Sequence, residues 1–264
     1  MKKRNYLRYY LLCRSVDLQT QMSHKFDFLI FLVSDLLTQI ATLVFIEVIF
    51  YSVPEINGYS YIEVLFIYGF FSLSYGIFAL LFWPLYDFNH IVISGNLDNL
   101  LLKPVSPLLQ SLSRGIGDIG GIVIGVFVVT RAILLSGIEF SLISVILFLF
   151  FVILGAFILL LTYVLVASLA LYFPNISGNF VELINNGLNF AKYPVSIFPK
   201  LIRVILMYAI PIGLITFVPY LFFFNCIISI DIIYLFCAII LYTIIVTLFW
   251  KHGIKRYRGI GNHD

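Results

Sequence analysis

The sequence predicts an all-α membrane protein: six transmembrane helices, an N-terminal interfacial helix before them, and N and C termini both cytoplasmic. Three observations predict it. First, six apolar runs, roughly Phe28–Phe50, Tyr61–Leu85, Ile116–Leu135, Leu142–Phe173, Leu201–Phe224 and Ile232–Trp250, meet or approach the ~20 residues that cross about 30 Å of hydrocarbon as a helix. Second, the Lys and Arg residues fall in alternate gaps. Lys2, Lys3, Arg4, Arg8, Arg14 and Lys25 precede the first run; Lys103 and Arg114 follow the second. Lys192 and Lys200 follow the fourth, with Arg203 just inside the fifth, and Lys251, Lys255, Arg256 and Arg258 follow the sixth. The intervening gaps hold none, and only Arg131 breaks the pattern. Short loops rich in these residues stay cytoplasmic. Third, the chain is 62% hydrophobic and 11% charged, with mean hydropathy +1.07. A soluble domain carries about 25% charged residues, so this chain cannot cover itself with a polar surface.

Helix is the expected state because lipid offers no partner to exposed backbone groups. Barrel strands would show ~10-residue alternating segments, and the runs here are continuous. The organisation expected is an interfacial segment at 1–27, a membrane domain at 28–250 with a cytoplasmic loop at 87–114, and a basic tail at 251–264. The net charge of +3 follows topology and not one face, which argues against nucleic acid and for contact with membrane lipids. The N-terminus does not read as a cleavable signal, since no short apolar region with a small-residue site follows the bases.

Residues 2–22 interleave bases with Tyr6, Leu7, Tyr10, Leu11, Val16 and Leu18. That is the pattern of a helix lying in the headgroup layer, although a merely basic tail reads the same way. The first run carries Asp35, Gln39 and Glu47, at spacings of four and eight, roughly on one helical face. They either line a cavity or pair helices, since ionisable groups within a span face protein or water. Alternatively Asp35 and Glu47 sit at opposite headgroup layers. The second run closes at Trp83 and Pro84, an aromatic anchor and a helix stop.

The third run opens on Gly117, Gly121 and Gly125. Glycines every four residues make a flat strip for close helix approach, serving either intramolecular packing or a subunit interface. Arg131 either snorkels to the outer headgroups or pairs with Glu139 or Glu47. The fourth run exceeds a perpendicular span, so it tilts or projects from the membrane. Pro174 ends it, and the polar stretch to Lys200 reads as a cytoplasmic loop with a short helix near Phe180–Leu188. The fifth run contains Pro211 and Pro219, which kink a span; its LITFVPYLFFFN stretch is either a broken outer end or a re-entrant element.

Catalytic chemistry is absent from the pattern. Cys13, Cys226 and Cys237 form no metal or disulfide framework, a Cys226–Cys237 bridge being a weak exception. His24, His90, His252 and His263 have no companion clusters. No dinucleotide fingerprint and no phosphate loop, which needs GK followed by Ser or Thr, occurs.

The loop between the second and third runs is the strongest functional candidate. Gly95 and Asn96 precede an amphipathic turn over Leu97–Leu102; Lys103 and Pro104 stop it, and Pro107 restarts a helix. A short apolar-faced helix shown to the cytoplasm either seats in a partner groove or packs on its own membrane domain. The string G-N-L-D-N-L-L-L-K-P-V-S-P-L-L-Q at residues 95–110 resembles the G-x-L-D-x-x-L-x-(K/R)-P-x-x-x-L-x-Q loop of permease subunits of ABC transporters, ABC-2 type. The K-Y-P-V-S-I-F-P-K segment at residues 192–200 is similar to the YP-x-x-I-(Y/F)-P stretch of the same permeases.

The resemblance implies an exporter of two permease chains, identical or paralogous, and two cytosolic ATPase subunits. It implies that Leu97, Asp98, Leu101, Leu102, Lys103 and Pro104 contact the ATPase, which binds the ATP and Mg; no cofactor and no metal is expected on this chain. It also implies alternating access, without an enzymatic reaction here, in the plasma membrane of a bacterium. The aromatic load, 27 Phe and 17 Tyr, suggests a hydrophobic or amphipathic cargo. Two other classes compete. An ion-coupled carrier would need acids or broken helices near the midplane, for which Gln39 and the Pro211 region are the candidates. A non-transporting scaffold would be held by the glycine strip.

Overall fold

The computed structural model describes residues 6–23, 25–113, 115, 117, 119–224 and 230–257. The expectations on Cys226, His24, Arg114 and the first bases fall outside these residues.

The described residues are mostly helical, with one two-stranded antiparallel hairpin, β1 (Glu55–Ile56) and β2 (Tyr59–Ser60). Helix α1 is Tyr6–Ser23 and α2 is Lys25–Ser52; the hairpin leads into α3, Tyr61–Phe82. Three short helices follow: α4 (Phe88–Ile93), α5 (Asn96–Leu101) and α6 (Pro107–Leu112). Then come α7 (Gly120–Ser136), α8 (Leu142–Tyr172), α9 (Ser177–Leu188), α10 (Lys200–Val204), α11 (Leu214–Phe224) and α12 (Ile230–Arg256). Among the described residues α2, α3 with its continuation to Ile93, α8 and α12 are long and apolar enough to cross a membrane, and α7 is apolar but shorter. This is an all-α membrane protein.

The bundle has two ends: one carries the hairpin, the other the loop of α4–α6. At the hairpin end α3 starts on a capping box, in which the Glu63 carboxylate accepts from the Ser60 backbone N–H and hydroxyl, both at 2.8 Å. The helix centre is α3, whose Leu65, Phe66, Ile67, Tyr68 and Phe70 are fully buried. A helix buried all round needs apolar residues on every face, and this one has them.

Helix α7 packs on α3 through glycines. A Cβ on Gly76 would stand 2.6 Å from the Ile122 backbone nitrogen, and one on Gly125 2.7 Å from the Leu73 nitrogen. Gly121 faces the Ser72 carbonyl, and the Gly117 N–H donates to the Ala79 carbonyl at 3.2 Å. Small residues let backbones approach where no side chain fits between.

Helix α8 has 31 residues; at 1.5 Å per residue it is about 46 Å long. That exceeds the ~30 Å hydrocarbon layer, and its C-terminal part reaches the loop end. There Ala167, Ala170 and Leu171 form a second apolar cluster with Phe88, Val92, Leu97 and Leu100, edged by Trp250, Ile254 and Tyr257 of the last segment.

The stretch after Pro174 departs from the sequence expectation. It is no peripheral loop: it runs the length of the bundle. Gly178 sits beside Asn89 at the loop end, and Asn185 meets Tyr163 part-way along α8. Ser196 reaches the hairpin, where its carbonyl accepts from Asn57 Nδ2 at 3.2 Å and its hydroxyl bonds Tyr59 at 2.8 Å. The physical reason is amphipathicity. Val181, Ile184 and Leu188 bury one face of α9, while Asn179, Asn186 and Asn189 stay exposed. An average over both faces reads as a polar loop.

The fifth apolar run, expected as a span, instead enters and leaves at the hairpin end. It is bent by 79° between Lys200–Tyr208 and Pro211–Phe224, at a π-helical turn, Ile205–Ala209, followed by Pro211. Both flanks meet Tyr59: Ser196 by its hydrogen bond, and Tyr220 by a ring contact at 5.5 Å. Tyr220 also donates to Glu63 at 2.5 Å. A bend of this kind is compatible with both sequence alternatives for the LITFVPYLFFFN stretch, a broken outer end and a re-entrant element.

Candidate functional site

The loop end is a platform built on α8 and α12. Helices α4 and α5 lie on it with Phe88, Leu97 and Leu100 pressed into the apolar cluster and Phe88 5.2 Å from the Trp250 ring. Gly95 precedes α5 at φ +73°, a left-handed conformation that a glycine takes without strain. The turn after α5 is held from within. Gln110 Nε2 donates to the Leu100 carbonyl at 2.8 Å and to the Val105 carbonyl at 2.7 Å. The Ser106 hydroxyl accepts from the Leu109 N–H and so caps α6. Buried backbone groups must find partners, and one buried glutamine supplies two of them.

This arrangement divides the motif residues. Leu97 is fully buried and holds the loop to the bundle, so it presents no surface to a partner. Asp98, Leu101, Leu102, Lys103 and Pro104 are exposed, and Leu102 most of all, at 85%. Asp98 lies beside Tyr257, whose phenol is raised above its usual range by burial and by that carboxylate. Helix α1 flanks the platform. Tyr10 donates to the Leu81 carbonyl at 2.7 Å, Arg14 donates to the Leu80 carbonyl, and Asp17 accepts from the Gly115 N–H at 2.7 Å. Leu7, Leu11 and Leu18 of α1 remain exposed.

A second feature lies inside the bundle, a cleft of about 280 Å³ between α2, α3 and the α9 limb. Asp35, Thr38 and Gln39 line it from α2; Asn185, Asn189 and Lys192 line it from the limb. Phe71, Tyr75, Trp83 and Tyr86 supply aromatic walls, the last two stacked at 4.9 Å. Asp35 and Lys192 are close enough for their charges to interact. The Tyr68 hydroxyl lies 2.8 Å from both the side-chain and the backbone oxygen of Gln39, and Tyr163 donates to Asn185 Oδ1 at 2.5 Å.

Of the polar trio Asp35, Gln39 and Glu47, the first two share this cleft. Glu47 stands apart near the hairpin end, where it pairs with Arg131 of α7 at 2.5 Å and accepts from Tyr61 at 3.2 Å. Sequence reasoning missed Asn185, Asn189 and Lys192, having assigned them to a loop. The available signal was the 3- and 4-residue spacing of Val181, Ile184 and Leu188. Among the described residues no group of three or more His, Cys, Asp or Glu is placed to hold a metal ion.

An apolar helical bundle with four helices long enough to cross a membrane among the described residues is the architecture of a polytopic membrane protein. Residues 36–261 match the family described as ABC-2 family transporter protein. The chain belongs to that family, and it is the permease component of an ABC transporter. Members of the family associate with an ABC ATPase. No curated protein and no solved structure is detectably similar to it.

Proposed function

We propose that the chain is the permease half of an ATP-driven exporter whose platform seats in a separate ATPase. The observation that carries this reading is the division of the loop motif. Leu97 and Leu100 anchor it rigidly, while Asp98, Leu101, Leu102, Lys103 and Pro104 are left outward. A helix that served only to close its own bundle would not leave two leucines in water beside a lysine. The docking face is narrower than the motif: Leu97 acts as its anchor.

In this reading six segments cross the membrane: α2, α3, α7, α8, the limb from Ser177 to Ile197, and α12. Both termini and the platform are cytoplasmic. The charges support that sense. Arg8, Arg14, Lys25, Lys103, Lys251, Lys255 and Arg256 lie at the platform end, as the positive-inside rule favours. Lys200 and Arg203 lie towards the hairpin end and are exceptions, as Arg131 is.

Two ATPase subunits, holding ATP and Mg, and a second permease, identical or related, complete the transporter in the plasma membrane. Closure of the ATPase dimer moves the platform, and the paired bundles alternate between inward and outward access. This chain contributes contacts that differ between the two states and no covalent step. The cargo is hydrophobic or amphipathic.

The test is co-purification. The tagged chain, extracted from its native cells in mild detergent, is expected to bring a cytosolic ABC ATPase down in stoichiometric amount. Leu102→Asp and Leu101→Asp are expected to lose it while the permease elutes unchanged on gel filtration. Undiminished association in both variants refutes the docking face.

A further inference from the structure

The platform is joined in sequence to α3 and α7, yet it rests on two other helices. Phe88, Val92, Leu97 and Leu100 lie against Ala167, Ala170 and Leu171 of α8, edged by Trp250 and Ile254 of α12. That end of α12 is clamped to α8. The Tyr172 hydroxyl donates to the Phe249 carbonyl at 3.3 Å, and the two rings stack at 4.7 Å. A Cβ on Gly253 would stand 2.9 Å from Leu171 Cδ1. A displacement of α5 therefore bears on α12 through closely packed side chains, which transmit strain.

Towards its other end α12 holds the bent segment. In an unbroken helix the Met207 carbonyl would accept from the N–H of residue 211, but that residue is Pro211, which has none. The Tyr234 hydroxyl takes the place of that donor, at 3.1 Å. Met207 lies in the π-helical turn Ile205–Ala209, next to the 79° bend. The flanks of the segment are held elsewhere, Ser196 by Tyr59 and Tyr220 by Glu63, at the hairpin end. Tyr234 and Met207 also border a cavity of about 300 Å³ between α8, α12 and the bend. The turn is therefore tied to α12 beside open space, with room to follow it.

We infer that Tyr234 is a positioning residue of the transport cycle: its bond to the Met207 carbonyl makes the bend follow α12 when the platform moves. The inference rests on the permease reading and its ATPase-docked platform, and adds the point at which that motion reaches the bent segment. The flanks are fixed to the hairpin end and the centre to α12. Relative movement of those two anchorages falls on the π-helical turn, and such a turn beside a proline is where a helix yields most easily.

The test places a bimane on Val204→Cys in a chain whose own cysteines are replaced. Val204 is exposed and immediately precedes the π-helical turn. The permease, purified with its ATPase from native cells and placed in lipid nanodiscs, is read without nucleotide and after trapping with ATP, Mg and vanadate. The parent is expected to show an emission shift on trapping. Tyr234→Phe removes one hydroxyl and keeps the ring; it is expected to lose the shift while retaining the ATPase in the parent's ratio. Tyr242→Phe is the control. It removes a hydroxyl from the same helix, one that bonds Thr162 of α8 at 3.2 Å, and is expected to keep the shift. A shift of parental size in Tyr234→Phe overturns the inference, as does loss in both variants or the absence of a shift in the parent complex. Absence of the ATPase from the parent preparation is a separate result: it refutes the platform reading, and the inference with it, before any emission is read.

Discussion

Leu97 and Leu102 stand at opposite ends of one short helix and face opposite ways: Leu97 is 0% exposed and Leu102 is 85% exposed. Substitution should separate the two roles. Leu97→Ala removes a fully buried side chain and is expected to cost about 2–5 kcal/mol of stability. Leu102→Ala should stay within about 0.5 kcal/mol of the parent. Thermal unfolding followed by gel filtration in detergent reads both. A large loss from Leu102→Ala would mean that this side chain is packed in the free permease.

The glycine contact between α3 and α7 makes a positional prediction. Gly76→Val and Gly125→Val would push side chains into backbone atoms under 3.0 Å away, so both are expected to abolish the folded, monodisperse peak. Gly187 of α9 has nothing within 4 Å of its missing Cβ. Gly187→Ala should therefore be neutral or stabilising, by up to about 1 kcal/mol, as for alanine over glycine in a helix.

Glu47 and Arg131 connect α2 to α7 across the hairpin end. Glu47→Gln or Arg131→Met leaves one charge unmatched at a partly enclosed position. Each single change is expected to lower the unfolding temperature. The exchanged pair, Glu47→Arg with Arg131→Glu, should recover most of the loss; a double variant no better than the singles would show that the pair is not coupled.

Gln110 bonds two carbonyls of the platform turn. Gln110→Ala leaves both without that donor, at a cost of about 1–3 kcal/mol for a buried unsatisfied group. The local readout is limited chymotryptic cleavage after Leu102, expected to quicken while the transmembrane core stays intact. Unchanged cleavage would place the restraint elsewhere.

Read as re-entrant, the bent segment predicts labelling from outside. In a chain whose own cysteines are replaced, Lys200→Cys is expected to react with an impermeant maleimide added to intact cells. Lys103→Cys should react only after permeabilisation. A Lys200→Cys that reacts only after permeabilisation would return the segment to the cytoplasmic side.

Much of this architecture was legible in the residues. The runs containing α2, α3, α7, α8 and α12 are apolar enough to announce themselves. The G-N-L-D-N-L-L-L-K-P string marked the platform. The sequence could not tell Leu97 from Leu102, because the burial comes from the far end of α8, Ala167–Leu171, at least seventy residues after Leu97 along the chain. It misplaced Lys192 for a related reason. Mean hydropathy rewards residues that face lipid, whereas the α9 limb is enclosed by protein on one side and by a polar cleft on the other. Pro211 and Pro219 flagged an interrupted fifth run, but only Tyr59, which touches both flanks, shows that the run turns back.

The unbroken length of α8 has a mechanical corollary. A rod of about 46 Å without a proline or a π-bulge has no joint at which a displacement can be absorbed. Tilting it by about 5° at the platform swings its far end through roughly 4 Å, by the rise per residue and simple trigonometry. The compliant parts lie beside it, in the π-helical turn at Ile205–Ala209 and the bend before Pro211. In the exporter reading, push and yield therefore fall to different stretches of one chain: α8 as the crank, and the bent segment beside it as the gasket.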